Sequence, residues 1–585
     1  MACTSCRQVK LRCDATKRFP APCTRCQEHR MSCKFDSKFK RRPARGSLTK
    51  VMEENDRLRR LVQDSGTVPA ESGIHTASPA ERTDQDPRFV ADFAWELPAS
   101  QALEEVQLDG LAIRDLFEHF SRHYFRHLPI LDLRKPIDSI RIANPLLFWT
   151  VIVIASRKHP LHGTLFCSLK VPFLRMLSEY LTRSIRSIWT IQALLLLCLW
   201  PFPVASQLDD PSWEYCGIAV AATLKMGLDD SPASWGEAIR PSPDELTWRS
   251  KTWLGCLCVS TNLAACLSLP PPMASVAPLM PRVRDSTRSS LPDDFLALLE
   301  VQAHSIRAAS LLSNQISNTA QRSFIELLDS DLDAVEARMP SGMSASLQIS
   351  VLAARLRLYS LPLLSQISPR IVDDCADALS KAIWYKGFHV AMRLVNTFAE
   401  WTQSDRKDDC DSTGEMLTIH FPKQYFYALV MAGMYFINLL VIETNISASD
   451  KLLAQNHIKQ AYETITAQST EDRDEASRAG KAIDFLSRQI EAQSGSLELG
   501  QSAHGNRPLN IINSGMRMAG QFRSKLRRSG ESNTPANLPA GVSELPAFED
   551  FTEMPPWGDD LFEWNTWFAG TDYMSTLFQM PAETV

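Results

Sequence analysis

Residues 3–33 read CTSCRQVKLRCDATKRFPAPCTRCQEHRMSC, with six cysteines spaced Cys3-x2-Cys6-x6-Cys13-x9-Cys23-x2-Cys26-x6-Cys33, a doubled C-x2-C-x6-C unit. A C-x2-C pair lets two thiolates on one tight turn meet the same tetrahedral zinc, and a third thiolate after a short helix closes most of the shell. Two such units offer six thiolates where two four-coordinate zincs need eight bonds, so two sulfurs must bridge both metals. The spacing therefore predicts one binuclear cluster of two Zn(II) ligated by Cys3, Cys6, Cys13, Cys23, Cys26 and Cys33. A disulfide framework would require an oxidising compartment. The residues after Met1 carry no apolar leader, and the remaining eight cysteines are scattered among apolar segments as reduced core thiols would be.

Charge is segregated along the chain. Residues 1–50 hold fourteen Lys or Arg against three acids (Asp14, Glu28, Asp36), a formal +11, whereas the whole chain is −5. Such a basic block is the footprint of phosphate contact and counterion release, and a short helix presenting Lys10 can donate to guanine O6 and N7. The run Lys38-Phe39-Lys40-Arg41-Arg42 suits DNA-backbone contact and a nuclear address equally, and either use places the protein in the nucleus.

The stretches Ala2 to Asp14 and Pro22 to Cys26, with Cys33, resemble the fungal binuclear zinc cluster (Zn2Cys6) DNA-binding domain across its whole length. The resemblance implies that Cys3 and Cys23 bridge the metals and that the helix after the second cysteine enters the major groove. It implies further that Lys10 reads bases while Arg7 and Arg12 contact phosphate; from their charge, Lys40, Arg41 and Arg42 are candidates to extend the interface. Many members carry a second basic residue just before that lysine. Here Val9 stands there, so base reading rests more heavily on Lys10.

Residues 47–64 (SLTKVMEENDRLRRLVQD) follow a heptad, with Leu48, Asn55 and Val62 at a and Val51 and Leu58 at d. Asn at an a position favours a parallel, two-stranded coil in register, hence a homodimer, though fewer than three heptads is also the length of a lone surface helix. In the resembled family this coil sets the spacing of two CGG half-sites. Fourteen residues separate Cys33 from Leu48, and Phe39 to Arg42 together with Cys6-Arg7-Gln8 is most similar to the subgroup containing the yeast activator of leucine biosynthesis.

Residues 65–102 read as a disordered linker rich in Ser, Thr, Pro, Gly and Asp. From 103 to 495 apolar residues recur at helical spacing, as at Ile113, Leu116, Phe117, Phe120 and Tyr124, which predicts a large all-α domain or two fused helical lobes. Leu116 to Phe120, His127 to Leu131, Ser187 to Leu197, Trp213 to Asp229 and Glu245 to Pro270 are similar, in order, to the helical regulatory domain that accompanies these clusters in fungal transcription factors. Ser260-Thr261-Asn262 departs from it where an aspartate is usual, as does Leu269-Pro270-Pro271 where Gly-Arg-Pro is usual. His119, His123 and His127 share one helix stripe, and two of them could ligate a metal. They flank Phe120, Tyr124 and Leu128 with no cysteine or second carboxylate beside Glu118, so the expectation is a boundary between core and solvent. Ile188 to Ala205 is uncharged but broken by Pro201 and Pro203, which predicts a buried core helix rather than a membrane span. No Gly-rich phosphate loop, G-x-S-x-G elbow or H-E-x-x-H motif occurs, and nothing argues for an enzyme.

Residues 496–546 read as a second linker, and 547–585 alternate acids with aromatics and contain no Lys or Arg. Acids keep Trp557, Phe562, Trp564, Trp567 and Phe568 solvated and able to dock apolar grooves of a coactivator or of the general transcription machinery. Packing of that segment on the helical domain is the alternative. The whole reads as cluster and basic extension (1–46), coil (47–64), linker, helical regulatory domain and activation segment. The expected function is a sequence-specific RNA polymerase II activator that binds double-stranded DNA at CGG half-sites, controls a metabolic or secondary-metabolite gene cluster and answers to a small-molecule inducer. A repressor on the same architecture, or a zinc-scaffolded interaction protein without specific DNA binding, are the competing readings.

Overall fold

The computed structural model describes parts of residues 3–35 and residues 95–204, 209–229, 242–312, 318–339, 343–366, 374–408, 420–442, 446–469, 474–492 and 510–531. Two compact units are present, Met1–Thr83 and Asp84–Val585. In the first, a short helix α1 (Thr24–Glu28) follows the second cysteine cluster's opening residue. The coil residues 48–62, the basic residues Arg7, Lys10, Arg12, Lys40, Arg41 and Arg42, and the tail from 532 lie outside the described residues.

The second unit opens with an antiparallel hairpin, β1 (Gln101–Leu103) and β2 (Val106–Leu108), and is otherwise helical. The helices that build its first core are α2 (Gly110–His123), α3 (Pro145–Ser156), α4 (Ile188–Leu199), α5 (Ser212–Lys225), α6 (Pro243–Leu267) and α7 (Asp293–Leu312). Their starts are written locally. Asp109 accepts from Ala112 N at 2.8 Å, Asn144 from Leu147 N at 2.9 Å, and Ser242 from Glu245 N at 3.2 Å. Pro145 and Pro243 occupy first-turn positions whose N–H has no helical partner anyway. At the end of α5, Gly227 takes φ 57° and lets Leu228 N donate back to Thr223 O at 3.3 Å.

A second core is formed by α8 (Asn318–Ala337), α9 (Ala345–Gln366), α10 (Asp374–Asp408), α11 (Lys423–Ile442), α12 (Ala448–Thr466), α13 (Glu475–Ala492) and α14 (Ile511–Glu531). The two cores interlock: α6 contributes Trp253 to the first and Cys266 to the second, and α9 contributes Val351 to the first and Leu352 to the second. Close approach is needed at Gly387 in α10, where an added Cβ would lie 2.1 Å from the Tyr435 hydroxyl oxygen. That hydroxyl donates to Trp384 O at 2.9 Å.

Helix α4, the uncharged stretch, is buried from Thr190 to Leu199 and ends at Trp200 before Pro201. Its one amide is satisfied inside the core, since Gln192 Nε2 donates to Ile130 O at 2.8 Å and to Thr252 Oγ1 at 2.9 Å. Lys423–Ile442 and Ala345–Leu364 are also long and apolar enough to cross a membrane, and 89% and 72% of their apolar windows are buried within the protein. Asn262, standing where an aspartate is usual in the resembled domain, donates to Gln424 Oε1 and accepts from Gln302 Nε2, both at 3.0 Å.

Three expectations are corrected. The ordered domain is longer than 103–495: Trp95 Nε1 donates to Leu133 O at 3.0 Å, ahead of it. Behind it, α14 lies in the stretch read as a linker, yet Ile511, Ile512, Met516, Met518, Ala519 and Phe522 are buried. Interspersed Asn, Ser and Gly hid that apolar face, and Asn510 Nδ2 ties it to Cys266 O at 3.2 Å. The histidines are no boundary either. His119, His123 and His127 are each 6% exposed, because the segment at His420 closes over α2 and excludes solvent.

Lys423 at the start of α11 meets Asp210, just before α5, at 2.8 Å, with side chains only 7% and 3% exposed. Burial pushes the Asp210 carboxyl up, but the Lys423 ammonium and donation from Ser212 hold it below its ordinary value. Removing one member of a buried pair strands the other charge in a low dielectric. Lys423→Met should therefore cost about 3–5 kcal/mol of stability, whereas the same change at exposed Lys459 should cost under about 0.5 kcal/mol; urea denaturation followed by circular dichroism measures both.

Candidate metal centre and nucleic-acid interface

Cys3, Cys6, Cys23 and Cys26 are buried with their sulfurs within 4.8 Å of one another. The Sγ separations are 4.0 Å for Cys3 and Cys23, 3.7 Å for Cys3 and Cys26, and 3.8 Å for Cys6 and Cys23. Thiolates on one tetrahedral zinc, bonded at about 2.3 Å, sit about 3.8 Å apart. The donor set thus fits zinc. Cys3 and Cys23 each approach a sulfur of the opposite unit, so the Cys3 to Cys23 edge is the one that two tetrahedra can share.

The doubled sequence folds as a doubled structure. Cys6 N donates to Cys3 Sγ at 3.5 Å, and Cys26 N to Cys23 Sγ at 3.4 Å. Cys3 N and Cys23 N donate at 3.4 Å to Cys13 Sγ and Cys33 Sγ respectively, which brings the third cysteine of each unit to the same cluster. Each unit also pins its neighbour: Thr24 N donates to Asp14 Oδ1 at 3.0 Å, and at the matching position Thr4 N donates to Lys34 O at 2.9 Å. Hydrogen bonds from the Thr24 hydroxyl and amide hold the Asp14 carboxyl below its usual range. Arg18 completes this tie by donating to Thr24 Oγ1 at 2.7 Å and Gln27 Oε1 at 2.9 Å.

The Cys3 and Cys23 sulfurs differ electrostatically from those of Cys6 and Cys26. Burial raises the Cys3 thiol, but the Cys6 N–H outweighs it with help from neighbouring thiols, and the result lies below the ordinary value. At Cys23 the Cys26 N–H dominates, again lowering it, whereas burial pushes Cys6 up to about 12. N–H donors therefore favour negative charge on the two sulfurs that two cations would share. The described cysteines are all free thiols. Sequence reading had all six cysteines but missed Thr4, Asp14 and Thr24, whose partners follow a cysteine by one residue and become visible only once the units are superposed.

Comparison with known proteins agrees with this geometry. Residues 1–42 match the fungal Zn(2)-Cys(6) binuclear cluster domain, and residues 117–320 match the fungal specific transcription factor domain. The chain is similar to the transcriptional regulatory protein SEF1 of Candida albicans, at 22% identity over 61% of this chain and 47% of that protein. It is 25% identical to the regulatory protein LEU3 of Saccharomyces cerevisiae over 46% of this chain and 39% of the relative. Identity to the transcriptional activator of proteases prtT of Aspergillus clavatus is also 25%, over 37% of this chain and 43% of that protein. The chain thus spans about half or less of the length of the curated relatives it matches. No solved structure matches. The chain carries both domains, its cluster domain is of the kind that binds two zinc ions, and the relatives are named as transcription regulators rather than enzymes.

Residues 1–46 have too little apolar surface to fold without metal, so zinc ligation should supply on the order of 10 kcal/mol of folding free energy. Metal analysis of that fragment should return two zincs. Cys23→Ala should lose both, and Cys13→Ala only one; equal losses from the two variants would contradict the shared edge.

Proposed function

We propose that this chain, which joins a fungal Zn(2)-Cys(6) cluster domain to a fungal specific transcription factor domain, is a nuclear, sequence-specific DNA-binding regulator of RNA polymerase II transcription. The observation that carries this reading is a zinc-fitting sulfur cluster set inside a block of formal charge +11 on a chain of net −5. Cys3 and Cys23 are the bridging ligands; Cys6, Cys13, Cys26 and Cys33 complete the two shells. The metals fold the basic segment, and the segment spends its charge on phosphate. Lys10 reads guanine in the major groove, Arg7 and Arg12 position the domain on the backbone, and Lys40, Arg41 and Arg42 add sequence-independent affinity. Leu48, Val51, Asn55, Leu58 and Val62 pair two chains, so the dimer reads two CGG half-sites. A metabolic or secondary-metabolite gene cluster is the target class, with a small-molecule inducer acting on the helical domain.

Output is activation. Trp557, Phe562, Trp564, Trp567 and Phe568, spaced by acids in a segment without Lys or Arg, suit docking into coactivator grooves. One relative is itself named a transcriptional activator.

Binding titrations on CGG-paired and scrambled DNA test the recognition half. Lys10→Ala should erase the preference, at about 1–3 kcal/mol, while Lys40→Ala with Arg41→Ala should weaken binding to every sequence and flatten its salt dependence. Full discrimination by the Lys10 variant would remove it as the base reader, and absence of any CGG preference in the parent would favour the interaction-protein reading.

A reporter assay tests the output half. Residues 540–585 fused to a neutral DNA-binding module should activate, and alanines at Trp564, Trp567 and Phe568 should reduce activity more than neutralising Asp559 and Asp560. Aromatic burial at about 25 cal/mol per Å² carries most of the affinity, and the acids mainly steer encounter. A fragment that represses would reverse the assignment.

A further inference from the structure

Helix α2 places His119 and His123 one turn apart on a single face, the spacing with which two imidazoles on a helix meet one metal. A third imidazole, His420, comes from some three hundred residues away, immediately before α11. One ring nitrogen from each of the three lies within 4.8 Å of the others, and all three side chains are buried. Ring centroids are 4.5 Å apart for His119 and His123, 4.6 Å for His123 and His420, and 4.8 Å for His119 and His420. His127, the next residue of the stripe, is excluded from the group and packs instead against Trp200, Phe421 and Tyr425.

Two ring nitrogens of this group have no hydrogen-bond partner in the protein. His119 Nε2 and His420 Nε2 are buried without a hydrogen-bond partner, so each keeps a lone pair or an N–H that the protein does not use. His420 is meanwhile held as a ligand needs to be. Its Nδ1 is hydrogen-bonded to the Tyr124 hydroxyl at 2.9 Å, which leaves Nε2 for a metal, and its backbone carbonyl accepts from Trp200 Nε1 at 2.8 Å. Arg122 and Arg126 are solvent-exposed, so water screens their repulsion of a cation. Half-buried His159 meets His119 edge-on, with ring centroids 4.7 Å apart.

We propose that His119, His123 and His420 form a third metal site, a three-nitrogen centre for a borderline divalent transition cation such as Zn(II), separate from the thiolate cluster. Neutral imidazoles suit zinc, copper and nickel and not the hard cations Mg(II) and Ca(II). A metal at this site would cross-link the first core through α2 to the second through the start of α11. Occupancy therefore stiffens the regulatory domain and makes its state depend on available metal.

The full chain, equilibrated with Zn(II) and freed of loose metal, tests this. It should hold three zincs. The double variant His119→Gln, His420→Gln should hold two, and Cys3→Ala combined with Cys23→Ala should keep one. In the cysteine variant, added Zn(II) should raise the melting temperature of the helical domain by mass action; in the histidine variant, followed by its helical signal, it should not. A parent with only two zincs, a histidine variant that keeps three, or a cysteine variant that keeps none and melts independently of zinc overturns the site. Loss of the thiolate-bound pair alone bears only on the cluster.

Discussion

Thiolate ligation of zinc governs the amino-terminal unit. Six sulfurs can satisfy two tetrahedral metals only if two of them serve twice, and the fold brings the sulfurs of Cys3 and Cys23, far apart in sequence, to 4.0 Å. Each turn donates a backbone N–H to the first sulfur of its unit, and the threonine after that cysteine donates its N–H to the other unit. Among the described residues of this unit, the cysteines themselves form the buried cluster. Metal binding, folding and the presentation of basic side chains are therefore one equilibrium.

The helical unit solves the opposite problem. Helices such as α4 and α11 are apolar on nearly every side, which in water is tolerable only when every face finds protein. Two cores share α6 and α9 to achieve this, and several of the polar groups carried inside meet polar partners there. Gln192 serves Ile130 and Thr252, Asn262 serves Gln302 and Gln424, and Lys423 serves Asp210. Such pairings specify how the helices dock, because a shifted docking would leave each group buried and alone.

At the meeting of the two cores those matches run out. Trp200 and Tyr124 fix His420 from two directions, yet ring nitrogens of His119 and His420 remain without a protein partner. What sets these apart from other unpaired buried atoms, such as Trp253 Nε1 and Trp384 Nε1, is that they lie in a cluster of three imidazoles.

The metal centre was legible from the chain alone, because ligand spacing on tight turns is a local property and six cysteines in two identical runs leave one counting solution. Helicity from Ile113 onward was legible for the same reason, periodicity being local. The buried fate of the uncharged helix Ile188–Leu199 followed from the prolines that end it. What the chain could not disclose was which surfaces meet. The face of Ile511–Phe522 looks like linker until Cys266 and Asn438 receive it. His119 and His123 look like a solvent boundary until His420 arrives, about three hundred positions later in the chain. Local pattern sets secondary structure and short-range ligation; burial is decided by contacts between distant residues, and only the tertiary structure brings those together.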